Sequence, residues 1–191
     1  MIPGTLGKVL DKPSKDNLEE LGNQHVIDQL DGFVKLCKPA KVIVFGESPE
    51  DIAFTRELAL KKGEETPLKM EGHTIHFDGY YDLARDTGST KVLTPPGMTL
   101  SKKINTIGRE EGLKEILGLM DGCMKSKEML VKFYSLGPTS SRFSLCAMQV
   151  TDSSYVAHSE DLLYRQGFEQ FKRLKGGKDF FTFLHSAGEL D

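Results

Sequence analysis

The 191-residue sequence contains no tryptophan and only three cysteines. Cys37, Cys123 and Cys146 are odd in number, widely spaced and form no Cys-x-x-Cys pair, which argues against a disulfide framework or a zinc knuckle. A reducing cytoplasm is the expected setting. Long apolar runs are missing too. Stretches such as Val42 to Phe45 fall far short of the ~20 residues that a membrane-crossing helix requires. The Met-Ile-Pro-Gly-Thr start has no charged region followed by an apolar one, so neither a span nor an export signal is expected. Nor is there an excess of positive charge. Lysine and arginine number 25 against 28 acidic residues, for a formal charge of −3, and neither half about Pro95 and Pro96 is strongly basic. Phosphate neutralisation needs clustered Lys and Arg, so nucleic acid and anionic membranes are not expected partners.

What is present suits a folded chain. The composition is 38% apolar and 28% charged with 8 prolines, outside the disordered and collagen-like classes. The length suits one domain around one core, since single cores run to about 100–200 residues. Neither a repeat nor a low-complexity tract breaks the chain.

The first fifteen residues carry little pattern. From His25, the apolar positions Val26, Leu30, Phe33, Val34 and Cys37 share one helical face that Pro39 ends. Val42–Phe45 reads as a strand. Ser48-Pro49-Glu50-Asp51 then opens a helix: a hydroxyl for an orphan N–H, a preset φ and acids at the positive end of the dipole, with Gly63 available to close it. His73–Phe77 and Lys91–Leu93 read as extended, with a turn at Asp86-Thr87-Gly88-Ser89 between them and a stop at Pro95-Pro96-Gly97. Leu113, Ile116, Leu117 and Met120 make an amphipathic helix of Arg109–Asp121. Met129–Leu136 and Phe143–Val150 form a hairpin, Thr151-Asp152-Ser153 caps a helix, and Phe180–Leu184 is a last strand. Strands and helices alternate imperfectly, which predicts an α/β fold with a mixed β-sheet flanked by helices.

Chemistry-bearing patterns are few. His73 and His76 are three apart, so on a strand their rings fall on opposite faces and cannot share a metal. There is no Gly-x-Ser-x-Gly elbow, and no cysteine has a nearby histidine or a helix N-terminus to activate it. Gly176-Gly177-Lys178-Asp179 lacks the earlier glycine and the hydroxyl residue of a phosphate loop and reads as a turn. Two segments remain. Arg85 closes Tyr80–Arg85 just before a glycine turn, where its guanidinium could offer a planar fork to a small carboxylate, although most arginines are simply solvated. Gly137–Arg142 could be an anion-binding nest or only the hairpin turn.

Asp82-Leu83-Ala84-Arg85, Phe133-Tyr134-Ser135-Leu136-Gly137-Pro138 and Gln149–Val156 resemble, in order and spacing, segments of GTP-dependent phosphoenolpyruvate carboxykinases. Lys35–Pro39, Gly122-Cys123-Met124 and Leu184–Gly188 add to the likeness, which covers about Phe33 to Gly188 and leaves the first thirty residues as a poorly matched extension. The resemblance implies the N-terminal-domain fold of that family, spanning 1–191, and a role in the reversible gluconeogenic conversion of oxaloacetate and GTP to phosphoenolpyruvate, GDP and carbon dioxide. Arg85 matches the family arginine that grips the substrate carboxylate. Where vertebrate-type members have a lid-contacting Glu, this chain has Thr87. The family's metal ligands, phosphate loop, mobile lid and guanine-stacking residues find no match. GTP and manganese or magnesium are therefore expected only in the complete enzyme, none bound by this chain alone, and catalysis by the isolated chain is not expected. The partners implied are the substrate, oxaloacetate or phosphoenolpyruvate, and a C-terminal catalytic domain. The alternative is a stand-alone carboxylate-binding or regulatory module that kept the fold without the catalysis.

Overall fold

A computed structural model describes residues 1–77 and 88–188. The elements run α1 (Gly4–Val9), α2 (Lys12–Leu21), α3 (Gln24–Cys37), β1 (Lys41–Val44), α4 (Pro49–Lys61), β2 (Thr66–Pro67), β3 (Thr74–Ile75), β4 (Val92–Thr94), β5 (Thr106–Gly108) and α5 (Arg109–Met120). They continue with β6 (Glu128–Leu136), β7 (Leu145–Thr151), α6 (Ser154–Leu163), β8 (Arg165–Gln166), α7 (Phe168–Arg173) and β9 (Phe180–Leu184). The chain divides into a larger unit, residues 1–76 with 122–191, and a smaller one, residues 77–121.

The larger unit is built on a mixed sheet of order β1-β6-β7-β9, with β8 also paired to β6. β1 runs parallel to β6, β6 and β7 form the antiparallel hairpin, and β9 runs parallel to β7. Alternation along these strands sends residues to opposite faces. Val131, Phe133, Met148 and Val150 face α2, α3 and α7 in the main core with Leu18, Leu30 and Phe171. On the other face, Ile43, Phe45 and Leu130 meet Leu58 of α4 and Ala157 of α6.

Local chemistry explains the helix ends. Ser48 Oγ accepts the Asp51 N–H at 3.1 Å while the Asp51 carboxylate accepts from the backbone of Ser48, a full capping box. Asn23 caps α3, and Ser153 caps α6 by accepting from Val156 N–H at 3.2 Å.

The first residues are not featureless. Leu6, Leu10 and Leu18 are buried, and α2 finishes the outer edge of β1: Ser14 Oγ accepts the Val44 N–H at 2.9 Å and Asn17 Nδ2 donates to the Val44 carbonyl at 2.8 Å. Polar side chains thus replace the missing strand. The extended stretch expected at His73–Phe77 narrows to Thr74–Ile75, paired antiparallel with Thr66–Pro67.

In the smaller unit β4 pairs parallel with β5, and α5 follows directly. Gly112 packs so closely that a Cβ there would fall 2.9 Å from side-chain atoms of Leu93 and Ile107. The helix expected at Arg109–Asp121 forms, but its apolar stripe is not a core face, because Ile116 and Leu117 are exposed.

Candidate functional site

Among the described residues, two pairs of the segments that carry the family likeness meet in space: Lys35–Pro39 with Gly122–Met124, and Gln149–Val156 with Leu184–Gly188. Gly122 N–H donates to the Leu36 carbonyl at 2.8 Å and Met124 N–H to that of Cys37 at 3.0 Å, joining the end of α3 to the entry of β6. Asp152, its side chain almost wholly buried, accepts Ser186 Oγ at 2.7 Å, Ala187 N–H at 2.8 Å and Lys127 Nζ at 3.2 Å. His185 Nδ1 lies 2.9 Å from Thr151 Oγ1. Burial pushes the His185 imidazole below its ordinary pKa, against the Asp152 charge. The Thr-Asp-Ser string after β7 therefore fixes the His-Ser-Ala-Gly string after β9.

Glu64, in the turn after α4, completes this constellation. Its carboxylate accepts Ser153 Oγ at 2.8 Å, Ser154 Oγ at 2.7 Å and the Tyr155 N–H at 2.8 Å. Burial pushes the carboxyl up, but these donors outweigh burial and hold it below its ordinary value. An anion thus already fills the N-terminus of α6, a position suited to one. Beside it Glu65 accepts His158 Nδ1–H at 2.7 Å, both side chains buried. The His76 ring stacks on Tyr155 with centroids 3.6 Å apart, and its Nδ1–H donates to the Glu64 carbonyl at 2.6 Å. His73 Nδ1 lies 3.1 Å from the Glu71 carbonyl.

An open cavity of about 700 Å³ borders this constellation, lined by Lys62, Glu64, Lys127, Glu128 and Asp152 among others. Its charges pair internally, Lys62 with Glu128 at 3.3 Å and Lys127 with Asp152 at 3.2 Å. Among the described residues no group of three or more His, Cys, Asp or Glu side chains could hold a metal ion. Gly177 donates its N–H to the Leu174 carbonyl at 2.7 Å and accepts Asn23 Nδ2 on its own carbonyl at 2.9 Å, so the Gly-Gly-Lys-Asp segment braces the start of α3.

Cys37, Cys123 and Cys146 form no disulfide among the described residues. Burial, followed by the neighbouring Cys123, pushes the Cys37 thiol up to about 12, which keeps it neutral and a poor nucleophile. Gly137–Arg142 is the hairpin turn, with Gly137 at φ 84° and Ser140 at φ 63°. Ser140 N–H donates to Gln170 Oε1 at 2.9 Å, and Arg165 Nη1 to the Gly137 carbonyl at 2.8 Å. Arg142 lies over the Phe143 ring at 4.9 Å. Arg85 and Thr87 lie outside the described residues.

A second polar cluster, not anticipated from the sequence, sits between the sheet, α4 and α6. Lys132 Nζ is bonded to Asp161 Oδ2 and donates to Thr55 Oγ1 at 2.9 Å, 4.9 Å from the Phe45 ring centroid. Gln166 Nε2 donates to Asp161 Oδ1 at 2.8 Å, and Tyr134 OH to the Ala157 carbonyl at 3.1 Å. Burial lowers the Lys132 pKa, with Asp161 opposing it.

The larger unit, with its mixed sheet, crossing helices and Asp152-centred junction, defines an α/β domain of a particular kind. Residues 29–191 match the family model of the phosphoenolpyruvate carboxykinase N-terminal domain, and the chain belongs to that family. It is 50% identical over 186 residues to the phosphoenolpyruvate carboxykinase [GTP] of Pyrococcus abyssi, covering 97% of this chain and 30% of that protein. The enzyme of the same name from Thermococcus kodakarensis is 49% identical over the same shares, and that of Sulfurisphaera tokodaii 44% identical over 96% of this chain and 29% of its own length. The chain thus spans about 30% of the length of the curated relatives it matches. No helix among the described residues is long and apolar enough to cross a membrane.

Proposed function

We propose that this chain is the oxaloacetate- and phosphoenolpyruvate-recognising N-terminal part of a cytoplasmic GTP-dependent phosphoenolpyruvate carboxykinase, residues 1–191 serving as one substrate-recognition domain. The observation that carries the reading is 50% identity over nearly the whole chain to a protein of that name, confined to about 30% of its length. Arg85 is assigned the substrate carboxylate. A guanidinium paired with a carboxylate through two parallel hydrogen bonds fixes its plane, and so aligns the carbon that loses carbon dioxide with the enolate oxygen that takes the phosphoryl group. GTP and manganese or magnesium, held by the remainder of the enzyme, supply the phosphoryl group and the positive charge that the enolate and the transferred phosphate need. On this reading the 191-residue chain recognises a substrate without turning it over.

Titration calorimetry with oxalate and with phosphoenolpyruvate, on the wild type and Arg85→Ala, tests the assignment. Binding that weakens at least tenfold in the variant is expected. Equal affinity for both proteins removes Arg85 from the role.

A further inference from the structure

The sheet of the larger unit is covered unevenly. Over β1 and β6, α4 and α6 bury the face that carries Ile43, Phe45 and Leu130. Strand register puts Tyr134, Ala147 and Phe181 in one row of that face, Lys132, Gln149 and Phe183 in the next, and Leu136 opposite Leu145 in a third. Towards β7 and β9 the rows lose their cover. Leu145, Phe181 and Phe183 are 51%, 57% and 53% exposed. β9 is an end strand in parallel pairing, and parallel strands are ordinarily covered on both faces.

This patch surrounds a cavity of about 240 Å³ lined by Tyr134, Leu136, Gln149, Glu160, Tyr164 and Phe183. Glu160 Oε2 is buried without a hydrogen-bond partner. Lys132 is committed to Asp161 and Thr55. Burial and the neighbouring Asp161 raise the Glu160 carboxyl to about 7, against the pull of Lys132. Such an oxygen is costly to leave unpaired, and so is an apolar patch left in water.

We infer that this face is the docking surface for the polypeptide making up the remaining length of the relatives, which lays an apolar segment over Leu145, Phe181 and Phe183 and directs one hydrogen-bond donor at Glu160. The inference rests on the carboxykinase reading above. One fact selects the occupant. The relatives are about three times as long as the matched region, so a large polypeptide is available.

Hydroxyl-radical footprinting reads the exposure of Leu145, Phe181 and Phe183 directly. The 191-residue chain is compared with the same chain continued by the downstream part of the Pyrococcus abyssi enzyme. Oxidation of Phe183 at least fivefold slower in the joined protein is expected, with Phe183→Asp restoring the faster rate at Leu145 and Phe181. Should the joined protein precipitate, the positions aligned with β9 in the intact Pyrococcus abyssi enzyme are footprinted, and slow oxidation is expected there. Equal rates overturn the inference, as does a 191-residue chain that sediments as a dimer with Phe183 already protected. Arg85-dependent oxalate binding with unchanged footprints sinks the docking surface alone. Slowed footprints with oxalate binding indifferent to Arg85 sink the functional reading alone.

Discussion

The Glu64 carboxylate and the Tyr155 backbone N–H, 91 positions apart in sequence, meet at 2.8 Å. One side chain from the turn after α4 thereby closes the N-terminus of α6, with the Ser153 and Ser154 hydroxyls on the same carboxylate. The helix is held to its neighbour by charge as well as by packing.

That junction makes stability depend on pH in a definite sense. Burial raises the Glu64 pKa and the four donated bonds, including the Ser154 N–H, lower it further than burial raises it, so the folded value lies below the ordinary 4.5. The stabilisation is complete above the unfolded value and is lost as pH falls through the folded one. Glu64→Gln is expected to cost about 1–2 kcal/mol at pH 7, allowing for partial exposure. Urea unfolding of both proteins from pH 7 to pH 3 should show the gap narrowing below pH 4.5. A constant gap means that the charge contributes nothing.

Lys132 and Asp161 each have side chains only 1% exposed, on the face opposite the main core. Removing one partner strands a buried charge, whereas removing both does not. Asp161→Asn alone is expected to destabilise by about 3–5 kcal/mol, and Lys132→Met with Asp161→Asn by clearly less than the two single losses added together. A double-mutant cycle on denaturation midpoints measures this. Strict additivity contradicts the assignment of Lys132 and Asp161 as a coupled pair.

Period and punctuation made the main frame readable. The face of α3, the Ser48 box, the β6–β7 hairpin and the Ser153 cap follow from local spacing and stand where spacing puts them. The residues that were not readable depend on distant partners. Ser14 and Asn17 look like ordinary helix-surface residues until β1 lies beside them. Lys132 sits in a strand whose every other interior position is apolar or small, and its burial is explained only by Asp161 29 positions later. Glu64 carries no local signal at all. The α5 stripe shows the converse: helical periodicity identifies an apolar face without saying what covers it. The substrate assignment of Arg85 rests on family likeness, and the residue lies outside the described ones.

Gly167 illustrates a constraint that no side-chain pattern announces. Its N–H donates to the Phe133 carbonyl at 2.8 Å, and a Cβ built on it would fall 2.4 Å from the Tyr134 carbonyl carbon and 2.6 Å from its oxygen. Those atoms are backbone of a strand paired on both sides, so they cannot yield as a flexible side chain would. With φ at −126° the residue needs no left-handed conformation; closeness to β6 alone requires glycine. Gly167→Ala is therefore expected to push α7 off the sheet, loosening the buried Phe168 and Phe171, at a cost of about 3 kcal/mol or more. Gly32→Ala is the matched control. It lies exposed within α3 with nothing within 4 Å of the added methyl, and should gain about 0.5–1 kcal/mol from helix propensity. Urea titrations followed by circular dichroism should move the two midpoints in opposite directions. A Gly167→Ala midpoint equal to wild type would mean that α7 has slack to retreat from Tyr134 at no cost.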